Sequence, residues 1–501
     1  MANYRFRFLF LALFLLICSV SSLYGQRSLG VTWDIPNNQN QAITELRSFH
    51  ELGVSILEIQ RSPSADIWKK IDSLNFDVYG NLAIQYPTYS TFRRPDSLLI
   101  KNIEEKASAY LSHSSVVAIG LFEYGATWDS TFWDALQPIA NQLKTNRELP
   151  FYFTSRKVTQ INSPENSFRL FEAYFTPGNI NSLAFPQDPL TGGYRYVPSE
   201  KLENYLTPFK RFIERTSAFP DKRLLVSSSW LLSMEKKYPR LTEVFKSLTS
   251  KDEIVFPLPK ETLPPPDSSS LPIILLVLIW GTIAFHYHSS PLYRKSLFRY
   301  FTAHKFFIND ILQRQIRSPW PAIIIIFQHA LLLASAVYVS ALTLLTPLGQ
   351  SAFFHHFSKL ALFGSGSFTF LGLAFWSSIL VSFVSTIWIY TSHKSINSFT
   401  QIATIYSWPL QLNFVLTSVA ITLYSSGAST SLILIFTGLA VAIFLFAFLL
   451  TVIDATRFSR SNPVFQFKTT IPYVLLWVGL SVCFFLEEQW WEALSLAINL
   501  K

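Results

Sequence analysis

Cysteine is almost absent, with two in 501 residues. Cys18 falls in an apolar leader and Cys483 in a stretch long enough to cross a bilayer, so no disulfide can staple the chain between them. That intervening part must hold by its own core. Cys pairs and runs rich in His or carboxylates are missing, which excludes a structural zinc site, and no cofactor is expected. Charge is also scarce, and it is unevenly placed. Residues 27–270 carry 27 Lys+Arg and 27 Asp+Glu, so the net charge of +9 belongs to the leader and the C-terminal half. This distribution is a topology signal and excludes a nucleic-acid footprint. No Gly-rich phosphate loop follows the first β-rich run, which argues against a dinucleotide-binding open sheet. The long apolar stretches hold few polar residues: His329, Asn413, and Asp454 at an end. Paired carboxylates and an Arg ladder are lacking, which argues against a coupled transporter. His329 and Asn413 are expected to make single interhelical hydrogen bonds, and Asp454 to pair with Arg457.

What the chain has in quantity is apolar bulk: half its residues are hydrophobic, with 45 Phe and 13 Trp. Residues 1–26 read as a signal peptide, with Arg5 and Arg7, an apolar core, then small and polar residues. Ile17 stands where a lipoprotein signal needs a small residue before Cys18. Six apolar stretches follow residue 270, at 271–288, 321–346, 368–391, 401–425, 429–453 and 470–487, each able to cross ~30 Å of hydrocarbon. If residue 27 starts outside, loops 289–320, 392–400 and 454–469 are cytoplasmic. They carry ten Lys and Arg, against two (Lys359 and Lys501) on the opposite side. That split follows the positive-inside rule. The expected product is a multi-pass protein of the inner (cell) membrane, with a periplasmic or extracytoplasmic N-terminal domain. Segment 289–320 mixes basic residues with Phe and Leu, as in a helix lying on the cytoplasmic leaflet against membrane lipids. Pro409 predicts a kink in the fourth stretch. Residues 261–270, "ETLPPPDSSS", form a stiff tether, and 491–501 an exported tail.

Between leader and tether, residues 27–260 alternate β-rich runs with amphipathic helices. Runs at 28–34, 54–60, 76–85, 116–122, 151–155, 180–185, 223–230 and 253–259 make eight strands. Ala42, Leu46 and Phe49 mark the core face of a helix stopped by Gly53, and Asp96 caps another carrying Leu99, Ile103, Ala107 and Tyr110. Repeated βα units in about 235 residues suit a (β/α)8 TIM-barrel-like exported domain, followed by an all-α six-helix transmembrane domain.

Three stretches of the exported half resemble the barrel of glycoside hydrolase family 2 and its clan. They are "ELGVSILEIQ", "IWKKIDSLNFDVYG" and "HSSVVAIGLFE" (His113 to Glu123). The resemblance covers about 110 residues well and the next 130 poorly. It implies Glu123 as general acid/base, with Phe122 where that family keeps an Asn. It also implies a carboxylate nucleophile ending the seventh strand, yet "RLLVSSSW" places Ser227, Ser228 and Ser229 there, with Glu235 too late. Glu58 and Glu172 are acids that could face the lumen. Retaining hydrolysis needs two carboxyls about 5 Å apart. Residues 321–490, with the lead-in and "Tyr-Ser-Trp-Pro" at 406–409, resemble the Yip1-type membrane domain.

The expectation is a barrel that has lost its chemistry and binds a glycan or a protein partner as receptor or scaffold, with Trp33, Asp34, Tyr124 and Trp128 contacting the ligand. The alternatives are an active retaining glycosidase and an accessory transport component.

Overall fold

The computed structural model describes residues 28–143, 148–157, 166–250, 261–265, 270–313, 318–364, 366–392, 398–456 and 463–500. The leader at 1–26, the strand expected over 253–259, and Arg314, Arg317, Lys394, Arg457 and Arg460 of the basic loops lie outside them. The chain divides into two compact units, residues 1–267 and 268–501.

In the first unit eight parallel strands close into a barrel, each paired with the next and the eighth with the first. They are β1 (Leu29–Trp33), β2 (Val54–Ile59), β3 (Asp77–Asn81), β4 (Val116–Glu123), β5 (Phe151–Ser155), β6 (Ser167–Phe175), β7 (Thr191–Pro198) and β8 (Arg223–Ser227). Helices α1 (Gln39–Glu51), α2 (Ala65–Ser73), α3 (Tyr89–Arg93), α4 (Ser97–Leu111), α5 (Ser130–Leu143), α6 (Thr207–Thr216), α7 (Ser228–Lys237) and α8 (Leu241–Ser250) surround it. The first five strands lie where the periodicity predicts them. The later ones do not. Residues 180–185 form the end of a turn and an irregular loop, and β6 and β7 occupy stretches that were not expected to be strands. "RLLVS" is therefore the eighth strand and not the seventh.

The local signals are ordinary ones. Asn38 Oδ1 accepts from Asn40 N at 3.0 Å and caps α1, which buries Ala42, Leu46 and Phe49 before Gly53 turns the chain at φ 80°. Asp96 caps α4, which buries Ile103, Ala107 and Tyr110. Glu261, the first tether residue, caps α6 from 54 residues away. Its carboxylate accepts from Leu206 N at 3.0 Å, Thr207 N at 2.9 Å and Thr207 Oγ1 at 2.8 Å.

The lumen is filled by Ile56, Tyr79, Ala118, Tyr152, Leu170 and Leu225. Above this apolar layer β4 carries a bulge: Gly120 pairs with Tyr152, but Phe122, not Leu121, pairs with Phe153. The extra residue reverses the alternation. Phe122 then points outward, stacked on Phe153 at 5.4 Å and edge-on to Phe132 at 5.2 Å, while Glu123 enters the lumen beside Thr154.

In the second unit five helices are long and apolar enough to cross a membrane. They are α9 (Leu271–Ser289), α13 (Trp320–Leu344), α15 (Phe368–Ser392), α18 (Thr430–Thr456) and α19 (Pro463–Leu486). The fourth expected span is not one helix. It breaks at Pro409 into α16 (Phe399–Ser407), a 3-10 turn at Pro409–Gln411 and α17 (Leu412–Ser425). Proline has no N–H to donate, and the turn absorbs the loss. Interhelical bonds form, but Asn413 makes two where one was expected: its Nδ2 donates to His329 Nε2 and to the Ala440 carbonyl, both at 2.8 Å. Asp454 pairs with His304 Nε2 at 2.8 Å.

Segment 289–320 is also more folded than one surface helix. It forms α10 (Pro291–Ser296), α11 (Arg299–Thr302) and α12 (His304–Leu312), whose Tyr293, Tyr300 and Phe307 are buried against Ile405 and Trp408 of the broken fourth stretch. Trp408 Nε1 donates to the Ser296 carbonyl at 3.1 Å and Gln401 Nε2 to the Ile311 carbonyl at 3.0 Å. Two further helices, α14 (Pro347–His356) and α20 (Glu488–Asn499), follow α13 and α19. Thr346 Oγ1 just before α14 donates to the Leu500 carbonyl at 2.6 Å.

The absence of a side chain at Gly120 is required, because a Cβ there would lie 2.5 Å from Tyr152 Cζ. Gly120→Ala should therefore destabilise the barrel by about 1–3 kcal/mol, the usual cost of overpacking, read as a lower denaturation midpoint.

Candidate functional site

The layer above the apolar lumen is polar and charged. β2 brings Glu58, β3 Asn81, β4 Glu123, β6 Glu172 and β7 Arg195, each two positions beyond an apolar or glycine lumen residue except Glu123, which the bulge inserts. All five are nearly or fully buried. Arg195 Nη2 donates to both oxygens of Glu58. Its Nη1 lies 3.6 Å from Glu123 Oε1 and 3.7 Å from Glu172 Oε2. Asn81 Nδ2 bridges Glu58 and Glu123, at 3.2 and 2.9 Å. Glu58 also accepts from Thr32 Oγ1 at 2.8 Å and from Tyr152 hydroxyl at 3.0 Å. Glu172 accepts from Arg156 Nε at 2.7 Å and from the Tyr124 hydroxyl.

Three carboxyls and two guanidiniums leave one negative charge to be neutralised. Burial raises Glu123 above its ordinary value; Arg195 opposes this, while Glu58 and Glu172 add to it. Burial works the same way on Glu172, but Arg156 and Arg195 outweigh it and hold that carboxyl below its usual range. For Arg195 burial opposes the charge and its surrounding carboxylates more than restore it. Of the two shifted carboxyls, Glu123 is thus the one whose protonated form burial favours. A neutral acid beside an ionised one is the arrangement a glycosidase acid/base needs. A retaining nucleophile, however, needs free lone pairs facing the sugar. Glu58 is held by four donor residues and Glu172 by Arg156 and Tyr124, with Arg195 set among the three.

The sequence-selected residues separate into three places. Glu123 and Tyr124 share the network. Tyr124, at φ 56°, spends its hydroxyl on Glu172 and stacks on Tyr86 at 5.8 Å. Trp128 stands aside, half-buried, with Lys157 Nζ 4.6 Å above its ring. Trp33 has no face to offer a ligand: it is buried, edge-on to Phe49, with Nε1 donating to Glu45 at 2.8 Å. Asp34, its neighbour, is exposed and lines a separate cleft of about 570 Å³ with Asn37, Gln41, Arg61, Ser228 and Ser229. Glu123 is not part of that cleft. Arg61 is held there by Asn37 Oδ1 at 3.2 Å and by the Ile35 carbonyl.

Sequence reasoning missed Arg195, Asn81, Tyr152 and Arg156. The signal for Arg195 was present in "TGGYRYVP", where two tyrosines alternate with Gly193, Arg195 and Val197 in a strand-like rhythm. An amide does lie beside Glu123, Asn81 Nδ2 from β3 at 2.9 Å, while position 122 holds the outward-facing Phe122.

No family profile matches the chain, and neither does any curated protein. Among solved structures the chain is similar to β-glucuronidase from Ruminococcus gnavus. The identity is 12%, the TM-score 0.25, and the alignment covers 40% of this chain and 35% of that one. The same enzyme in complex with uronic deoxynojirimycin aligns at 13% identity and the same TM-score and coverage. The chain thus spans about a third of the length of those structures.

Arg195→Gln leaves buried carboxylates without their cation and should cost about 3–5 kcal/mol, seen as faster amide exchange across β2, β4 and β6 in the full chain. The pH dependence is of opposite sign for Glu123 and Glu172. Glu123, raised in the fold, stabilises it in the protonated form, and that contribution fades as pH rises through its folded value. Glu123→Gln keeps the protonated shape, so its midpoint should gain on the wild type as pH rises above the ordinary 4.5. Glu172, lowered in the fold, contributes above its ordinary value. Glu172→Gln should lose most near neutrality and approach the wild type in acid.

Proposed function

We propose that the chain is a membrane-anchored receptor whose barrel binds a hydroxyl-rich ligand, a glycan, without cleaving it. The observation that carries this reading is Arg195. The resemblance to family 2 glycosidases asks for a carboxylate nucleophile on the seventh strand, and the seventh strand here supplies an arginine. A guanidinium cannot attack an anomeric carbon, and it ties up the carboxylates beside it. The network becomes a hydrogen-bonded, ion-paired plug in the lumen. Ligand contact moves to the open cleft, whose carboxylate, amides, guanidinium and serine hydroxyls match the donors and acceptors of sugar hydroxyls. The five membrane-length helices supply the anchor. Export of the barrel, the crossing of the broken fourth stretch and the Yip1-type character of 321–490 belong to the same proposal.

One observation favours a second reading, an active retaining hydrolase: Glu123 shares one network with two other carboxyls, through Asn81 and Arg195, and burial favours its protonated form. The full chain separates the two. Aryl glycosides should stay intact, and a neutral oligosaccharide panel should yield binding that Asp34→Ala weakens about tenfold, one hydrogen bond to a charged group. Aryl glycoside turnover abolished by Glu123→Gln would establish the hydrolase instead.

A further inference from the structure

Helices α10 to α12 are pinned to the bundle on one side by Trp408, Gln401 and Asp454. Their other side is consequently presented in one orientation. It carries Phe298, Phe301 and Phe306, exposed by 70%, 43% and 67%, interleaved with the exposed Arg294, Lys295 and Lys305. The one acid of segment 289–320 is Asp310, and it is taken by Arg299. Among the described residues no ion pair engages Arg294, Lys295 or Lys305.

We propose that this outer face is a binding surface for anionic phospholipid. The three cations hold headgroup phosphates, and the three phenylalanines sit at the acyl boundary beneath them. Each half of the pattern excludes a simpler occupant. A soluble anion gives no reason for three exposed phenylalanines, and a neutral lipid gives none for three unpaired cations. Together they match the boundary between charge and hydrocarbon that an anionic leaflet offers. Trp320, exposed by 67% at the start of α13, adds the indole typical of that depth. The surface is built by folding three short helices against the broken fourth stretch, so it is rigid before lipid arrives. A free amphipathic helix would have to order on binding.

The test uses the full chain, extracted from vesicles of phosphatidylcholine and phosphatidylglycerol and examined by native mass spectrometry. Phosphatidylglycerol should be retained over phosphatidylcholine by roughly tenfold or more, given three cations at a leaflet surface. The combined Arg294→Gln, Lys295→Gln, Lys305→Gln variant should retain both lipids equally. Phe298→Ser with Phe306→Ser should retain less of both while keeping the headgroup preference, which controls for misfolding of the triple variant. Millimolar inorganic phosphate should not displace the lipid. Absence of a preference in the wild type, persistence of it in the triple variant, or displacement by phosphate alone would each overturn the proposal.

Discussion

The barrel depends on one cation. Three carboxyls from β2, β4 and β6 meet in a space from which water is largely excluded, where unpaired charges of one sign repel strongly and are poorly solvated. Arg195 from β7 reaches all three, and Asn81, Tyr152, Thr32, Tyr124 and Arg156 take up the remaining lone pairs. The strands on which these residues stand must then keep their register to within one residue, because a slip would turn each side chain away from its partner. The bulge in β4 and the missing side chain at Gly120 follow from the same requirement. The first turns Glu123 inward, and the second lets the Tyr152 ring pass to Glu58. The outward turn of Phe122 into the aromatic layer is the other half of that adjustment.

The second unit obeys a different constraint: among long apolar helices, freed backbone and polar groups must find partners within the chain. Pro409 interrupts the fourth apolar stretch, and the interruption is covered by the chain itself. Trp408 and Gln401 reach the carbonyls of Ser296 and Ile311, and Asn413 bridges His329 and the Ala440 carbonyl. The short helices that precede α13 are thereby part of the bundle's core and cease to be a loose amphipathic lead-in.

The first five strands and helices α1 and α4 were legible in the sequence because their apolar periodicity is clean and their caps are conventional; α3, a single short turn of helix, was not. The later strands were not. β6 places Arg169 and Glu172 in its interior, and β7 places Arg195, Gly192 and Gly193, so both break the apolar pattern by which buried strands are recognised. Miscounting them shifted "RLLVS" from eighth to seventh, and with it the place where a nucleophile was sought. Glu123 was legible as a strand-end acid. Its company was not, since Glu58, Asn81, Glu172 and Arg195 come from strands far apart in sequence and meet only when the barrel closes. Nothing in composition marks a bulge. Pro409 marked a kink, but a full break depended on neighbours that receive the freed groups.

Glu261 has a mechanical consequence. Its carboxylate clamps the first turn of α6, so tension carried along residues 262–270 arrives first at a set of hydrogen bonds pulling on a helix end. Those bonds are loaded ahead of the part of the chain that precedes Glu261. The clamp acts as a strain relief, and the strands of the barrel lie behind it.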